Sequence, residues 1–224
     1  MRYFATIARL FILIAMSSAH AFEGGVFMDC KPTPTIEAWH FPNKPFNTSA
    51  NLLRKSGHVR RAEGEYILIK GKILDSQCVP VQNAVVHIWQ PDNNGLYEQS
   101  YPKIDHRDIG TPPGADRNFG YTGTARTDNF GNFAFLTIFP GRFRDNAPYV
   151  NYLVQHQDFE ELASRIYFAR HPSNYDDPDF KILTEEEQKL VTADGRPIDP
   201  SHRMEGREYQ MVITLDGANK YTRY

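Results

Sequence analysis

The chain has 224 residues, a formal net charge of −2 and 13% aromatic residues. That length holds one sizeable domain and not clearly two. Charges of both signs are interspersed, so neither a basic stripe for nucleic acid nor a long acidic tail is present.

Residues 1–21 read as a secretory signal. Arg2 and Arg9 precede the apolar run at 10–16, and Ala19-His20-Ala21 is a small-x-small cleavage site. The run falls short of the roughly 20 apolar residues needed to span a bilayer, and no later segment is long or apolar enough. The expectation is a periplasmic or secreted protein, cleaved after Ala21, with no stable membrane span. Export gives meaning to the two cysteines, Cys30 and Cys78. An oxidising compartment permits their disulfide, and the alternative is two buried thiols that never meet.

Residues 22–65 read as an extended arm, interrupted by Pro32, Pro34, Pro42 and Pro45. Phe27, Ile36, Trp39, Phe41 and Phe46 make it too apolar for a linker, so it is expected to pack on the domain at 66–224. Residues 51–54 are a candidate turn of helix.

From Tyr66 the apolar pattern has period two. Strands are expected at 66–74, 84–90 and 149–155, with a hairpin of 121–126 and 132–138 turning at Asp128-Asn129-Phe130-Gly131. Residues 160–168 fit a short strand or a helix, and 209–215 a closing strand. Thr184 with Glu187 three residues on is a capping box that starts a short helix. Short strands at even spacing predict an all-β fold, an antiparallel β-sandwich with a few short helices.

Several landmarks stand in fixed order: Trp89, Asp92, Gly95 and Tyr97; Thr127-Asp128; Gly131-Asn132-Phe133; and Pro140-Gly141. Together with Gly71-Lys72-Ile73-Leu74-Asp75 and Cys78-Val79-Pro80-Val81, they resemble the intradiol ring-cleavage dioxygenases of the protocatechuate 3,4-dioxygenase type. The resemblance implies the family's β-sandwich and a ferric ion held by two tyrosines and two histidines. Tyr97 matches the first tyrosine. Phe143 stands where Pro-Gly-x-Tyr places the second, and its phenyl ring offers no lone pair. The Arg-Pro-x-His-x-His stretch falls on Ala147-Pro148-Tyr149-Val150-Asn151-Tyr152, with Val150 and Tyr152 at the histidines and Ala147 at the arginine.

Ligand type and geometry select a metal, and three of the four ligands are replaced. The expectation is therefore no resident cofactor and no catalytic residue. The protein is read as a binding or structural module of the cell envelope, with Tyr149, Tyr152 and His156 as candidate contacts for a small aromatic. A homologous subunit or another envelope protein is the expected partner. The alternative is an active Fe(III) enzyme on a catechol- or protocatechuate-type aromatic, using a substitute set from Tyr97, Tyr152 and His156, the last two of which share a strand face at period two. His87 reads as a packed core histidine, and His106 with Asp105 and Asp108 as surface polarity or a loose metal site.

Overall fold

The computed structural model describes residues 30–37, 40–98, 112–199 and 205–219. The signal segment, positions 22–29 of the arm, Trp39 and the loop carrying Asp105, His106 and Asp108 lie outside the described residues.

Among the described residues eight strands form the domain: β1 (Tyr66–Leu74), β2 (Val85–Trp89), β3 (Thr122–Arg126), β4 (Asn132–Ile138), β5 (Tyr149–His156), β6 (Phe159–Phe168), β7 (Thr192–Pro197) and β8 (Arg207–Thr214). They are hydrogen-bonded in the order β3-β2-β5-β6-β7-β8-β1-β4. One apolar interior takes Ile67, Ile69 and Ile73 from β1, Val86 and Ile88 from β2, Phe133 and Phe135 from β4, Val150 and Tyr152 from β5, and Ile213 from β8. Both halves of the sheet therefore curl over a single core, which the period-two pattern of β1 announces: its even-spaced members Ile67, Ile69 and Ile73 are all fully buried.

Three local expectations need correction. The pairing is not wholly antiparallel, because β1 runs parallel to β8 and β6 parallel to β7. The segments at 121–126 and 132–138 are strands but not a hairpin: β3 pairs with β2, and β4 with β1, at opposite ends of the strand order. The turn between them satisfies itself. Asp128 Oδ1 accepts from the Phe130 and Asn132 amides, both at 2.8 Å, so the chain can pass from one half of the sheet to the other without strand pairing. Residues 51–54 are not helical. Asn51 bridges to Leu136 and turns the Leu53 amide onto its own Oδ1 at 3.0 Å. Of the two alternatives expected for 160–168, the strand is the one formed, within β6.

Two short helices, α1 (Pro178–Lys181) and α2 (Glu185–Leu190), stand between β6 and β7. The capping box of α2 forms: Thr184 Oγ1 accepts from the Glu187 amide at 3.2 Å, and the Glu187 carboxylate accepts from the Thr184 amide at 2.9 Å. Among the described residues no helix is long and apolar enough to cross a membrane.

The described part of the arm packs on the sheet. Cys30 and Cys78 are joined in a disulfide with Cα atoms 5.2 Å apart. The Thr33 amide donates to the Thr214 carbonyl, and the Thr214 amide to Thr33 Oγ1, both at 2.9 Å. The Ile36 amide then donates to Ala163 of β6, and Asn47 bonds Gly120 and Thr122 beside and within β3. Between these anchors Phe46 stacks on His87 and meets the edge of Trp89. The segment thus runs from β6 to β3 over the face of the sheet turned away from the core.

Candidate functional site

The site is built by two turns that dock backbone to backbone. Asp92, fully buried, accepts from the Asn94 and Leu96 amides through Oδ1 and from the Asp116 amide and Tyr121 hydroxyl through Oδ2. Its carbonyl accepts from both Gly95 and Gly141, at 3.1 and 2.8 Å. Gly95 has φ +79°, and a Cβ there would lie 2.0 Å from the Arg142 carbonyl oxygen. A Cβ on Gly141 would lie 2.3 Å from the Gly95 nitrogen. Only glycine permits such an approach. The two motifs are thereby locked together, and the Phe143 ring meets the edge of Tyr97 at 5.3 Å.

Tyr97 is buried, with its hydroxyl in a hydrogen-bonded chain. Asn151 Nδ2 donates to it at 3.1 Å, and Tyr149 is its other polar neighbour. Burial first, then the neighbouring Tyr149, push the Tyr97 pKa well above its ordinary value, so the phenol keeps its proton. His40, from the arm at φ 58°, lies face to face with Tyr97 at 4.7 Å and edge-on to Phe143 at 4.3 Å. Burial, then Arg144 and Arg165, lower its pKa, which favours the neutral ring.

Strand β5 presents Tyr149 and Asn151 to Tyr97, rather than Val150 and Tyr152. The expected register is therefore displaced by one residue. Val150 and Tyr152, both fully buried, point into the apolar interior. Alternation in a strand sends neighbours to opposite faces, so a one-residue slip exchanges the whole set. His156 does not join Tyr97 either. It sits at the far end of β5, where its Nδ1 accepts from the Asp158 amide at 3.2 Å and its ring meets Phe159. The substitute set Tyr97, Tyr152 and His156 is not assembled. Phe143 stands beside Tyr97 as its motif predicts. His87 is packed, with Thr124 and Gln155 on its two ring nitrogens.

Behind Tyr149 lies Arg165, opposite Asn151 across β5 and β6. It has no exposed surface, and its guanidinium lies 4.2 Å from the Tyr149 ring centroid. It bonds Asp179 at 2.7 Å, the Glu37 carbonyl at 3.0 Å and the Tyr167 hydroxyl at 3.3 Å. Asp177 caps α1 through the Asp179 and Phe180 amides and also accepts from the Ala147 amide at 2.8 Å, Tyr167 at 3.1 Å and Asn146 at 3.2 Å. This carboxylate fixes the entry to β5 and hence the place of Tyr149.

A cavity of about 200 Å³ opens beside Tyr97, lined by His40, Phe41, Trp89, Gln90 and Tyr121 among others. A larger groove of about 1030 Å³ lies against β1, β4 and β8 and holds none of these aromatic groups. Sequence reasoning missed His40, Asn151 and Arg165 as members of the site. Asn151 and Arg165 carry a usable signal, since each interrupts an otherwise apolar or aromatic stretch of strand. His40 carries none.

This β architecture, with a tyrosine at the end of one docked turn and an aromatic ring at the end of the other, is that of the intradiol dioxygenases. A family model described as “Dioxygenase” matches residues 40–217. A protein of Rickettsia bellii named “Putative dioxygenase” is 37% identical over 139 residues, 61% of this chain and 65% of that one. The match therefore spans just under two thirds of that relative's length. The protocatechuate 3,4-dioxygenase beta chain of Burkholderia cepacia is 38% identical over 80 residues, 36% of this chain and 31% of its own. In fold, the intradiol ring-cleavage dioxygenase of Tetranychus urticae superposes with a TM-score of 0.64 at 19% identity, covering 86% of this chain and 98% of that one. The chain belongs to the intradiol dioxygenase family.

Proposed function

We propose that this protein is an exported member of the family that works without a ferric ion, as a binding module of the cell envelope. One observation carries the reading: the groups gathered around Tyr97 are Asn151, Tyr149, Phe143 and the stacked ring of His40, so an amide, a second phenol and a phenyl ring stand where the family has its other donors. A ferric ion of the kind the family uses calls for phenolate and imidazole donors. Here an amide, a phenol and a hydrocarbon ring face Tyr97, and the one imidazole beside it, His40, is stacked face to face on its ring. These residues do not fit the ion.

The cavity beside Tyr97 supports a ligand role. Its aromatic walls suit a small planar aromatic, held by stacking rather than by coordination. Export through a signal cleaved after Ala21 is supported by the leader pattern and by the Cys30–Cys78 bridge, which suits an oxidising compartment. A homologous subunit is the partner we favour, because one relative is named as the beta chain of its enzyme.

A second reading keeps the activity: Fe(III) on Tyr97 and Tyr149 with His40 as the nitrogen donor, favoured by the ring of His40 lying against Tyr97. Metal analysis and visible absorption of the purified mature chain decide between them. A colourless, iron-free protein that takes up no oxygen with catechol or protocatechuate supports the binding module. A strong visible band with one iron per chain overturns it.

A further inference from the structure

Among the described residues Arg165 is the only buried arginine or lysine. Burying a guanidinium costs several kcal/mol unless its surroundings compensate, so its place in the middle of β6 calls for a reason. Its surroundings are unusual for a surface ion pair moved inward. One arm of the guanidinium reaches the Glu37 carbonyl of the N-terminal segment, another reaches Asp179 at α1 and the Tyr167 hydroxyl, and its plane covers Tyr149. Its Nε has no partner. Three separate stretches of chain meet on one fixed positive charge, next to the Tyr97–Tyr149–Asn151 chain and on the same face of the sheet.

Those are the services a metal ion gives a phenol-rich cluster: a permanent cation in a buried place, and bonds that tie distant segments together. Resting on the iron-free reading above, the geometry points to Arg165 as an internal cation that takes the electrostatic and cross-linking place of a metal beside Tyr97. The guanidinium and a ferric ion then exclude one another. Like charges at such range inside a protein repel strongly, because little water intervenes to screen them. Asp179 and the Tyr167 hydroxyl, which would help neutralise a metal, are already committed to the arginine. On this account, supplying metal donors around Tyr97 does not by itself create a metal site.

Two altered chains test this. The first carries Phe143→Tyr, Tyr149→His and Asn151→His. The second adds Arg165→Gln, which removes the charge. Both are loaded with ferrous salt without oxygen, exposed to air and desalted. Iron per chain and visible absorption are then read. The expected result is at least tenfold more bound iron in the chain lacking Arg165. Equal uptake by both, whether full or nil, overturns the proposal.

Should the four-substitution chain fail to fold, the natural sequence serves, with the His40 pKa followed by NMR. Arg165→Gln is expected to raise it and Arg165→Lys to leave it near its starting value. An unmoved His40 in Arg165→Gln overturns the proposal, since the charge then does not reach the cluster. Failure of the iron-free reading itself looks different: the unaltered protein would be purified with a ferric ion in place.

Discussion

Asn151, in the middle of β5, donates its amide to the hydroxyl of Tyr97 beyond the end of β2, at 3.1 Å and out of contact with water. The same amide reaches the Trp89 carbonyl at 3.3 Å, so one side chain holds both ends of the turn that presents Tyr97. A buried hydrogen bond of this kind contributes about 1 kcal/mol, and leaving its partner unpaired costs more.

Tyr97→Phe should therefore destabilise the protein by about 1–2 kcal/mol in urea unfolding. It should leave the visible spectrum and iron content unchanged. Loss of colour or of bound iron on this substitution would instead place a metal on Tyr97.

Asp177→Ala should be among the most damaging single changes. It strips the cap from α1 and leaves the Ala147 amide and the Tyr167 hydroxyl without their buried acceptor. A loss of about 3 kcal/mol or more is expected, with faster amide exchange at the start of β5. A change below 1 kcal/mol would show that Asp177 does not hold that entry.

The two docked glycines give a sharper contrast. Gly95→Ala or Gly141→Ala drives a methyl group into the opposing backbone, and little soluble protein is expected from either. Val59→Ala, at a side chain 92% exposed, should stay within about 0.5 kcal/mol of the parent. Soluble expression and melting temperature read the difference.

Glu208 gives a pH signature. Burial raises its pKa, but Lys70, Arg196 and Gln210 outweigh this and hold it down at about 2. A carboxylate depressed by folding stabilises the protein fully above its unfolded value near 4.5, and that contribution is lost as pH falls from there towards 2. Both cations are partly exposed, so solvent screening reduces the gain to about 2 kcal/mol. Glu208→Gln should cost that much at pH 7 and almost nothing near pH 2, measured by unfolding across that range. A constant deficit at every pH would contradict the assignment.

Replacing both cysteines by serine frees a loop closed over a sequence separation of 48. The chain-entropy account gives a loss on the order of 4 kcal/mol. Unfolding in urea with and without reductant checks it, and the serine variant should no longer respond to reductant.

The skeleton of the fold was legible because β1, β2, β4 and β8 each bury one face, and period two reports a half-buried strand. The pairing was less so. That β3 and β4 part company, and that β1 lies beside β8, depends on contacts between distant segments which local pattern does not encode. At the site the difficulty was sharper. Every residue of β5 from Tyr149 to Val154 is buried, so hydrophobicity does not mark which face carries the chemistry. Matching Pro148 to the proline of the family motif then set the register one residue late. Asn151, a lone amide among Tyr149, Val150, Tyr152 and Leu153, was the clue to the correct face, as Arg165 was on β6. His40 arrives from an arm whose path no pattern in the strands foretells.

The clasp between Thr33 and Thr214 joins the arm to the end of β8, and β1 lies directly against β8. Neither seam can close until residues 207–214 have emerged, whether from a ribosome or through a translocation channel. Until then β1 waits with one edge unpaired. A chain stopped before residue 207 is left with that open edge on β1, ready to pair with a neighbour.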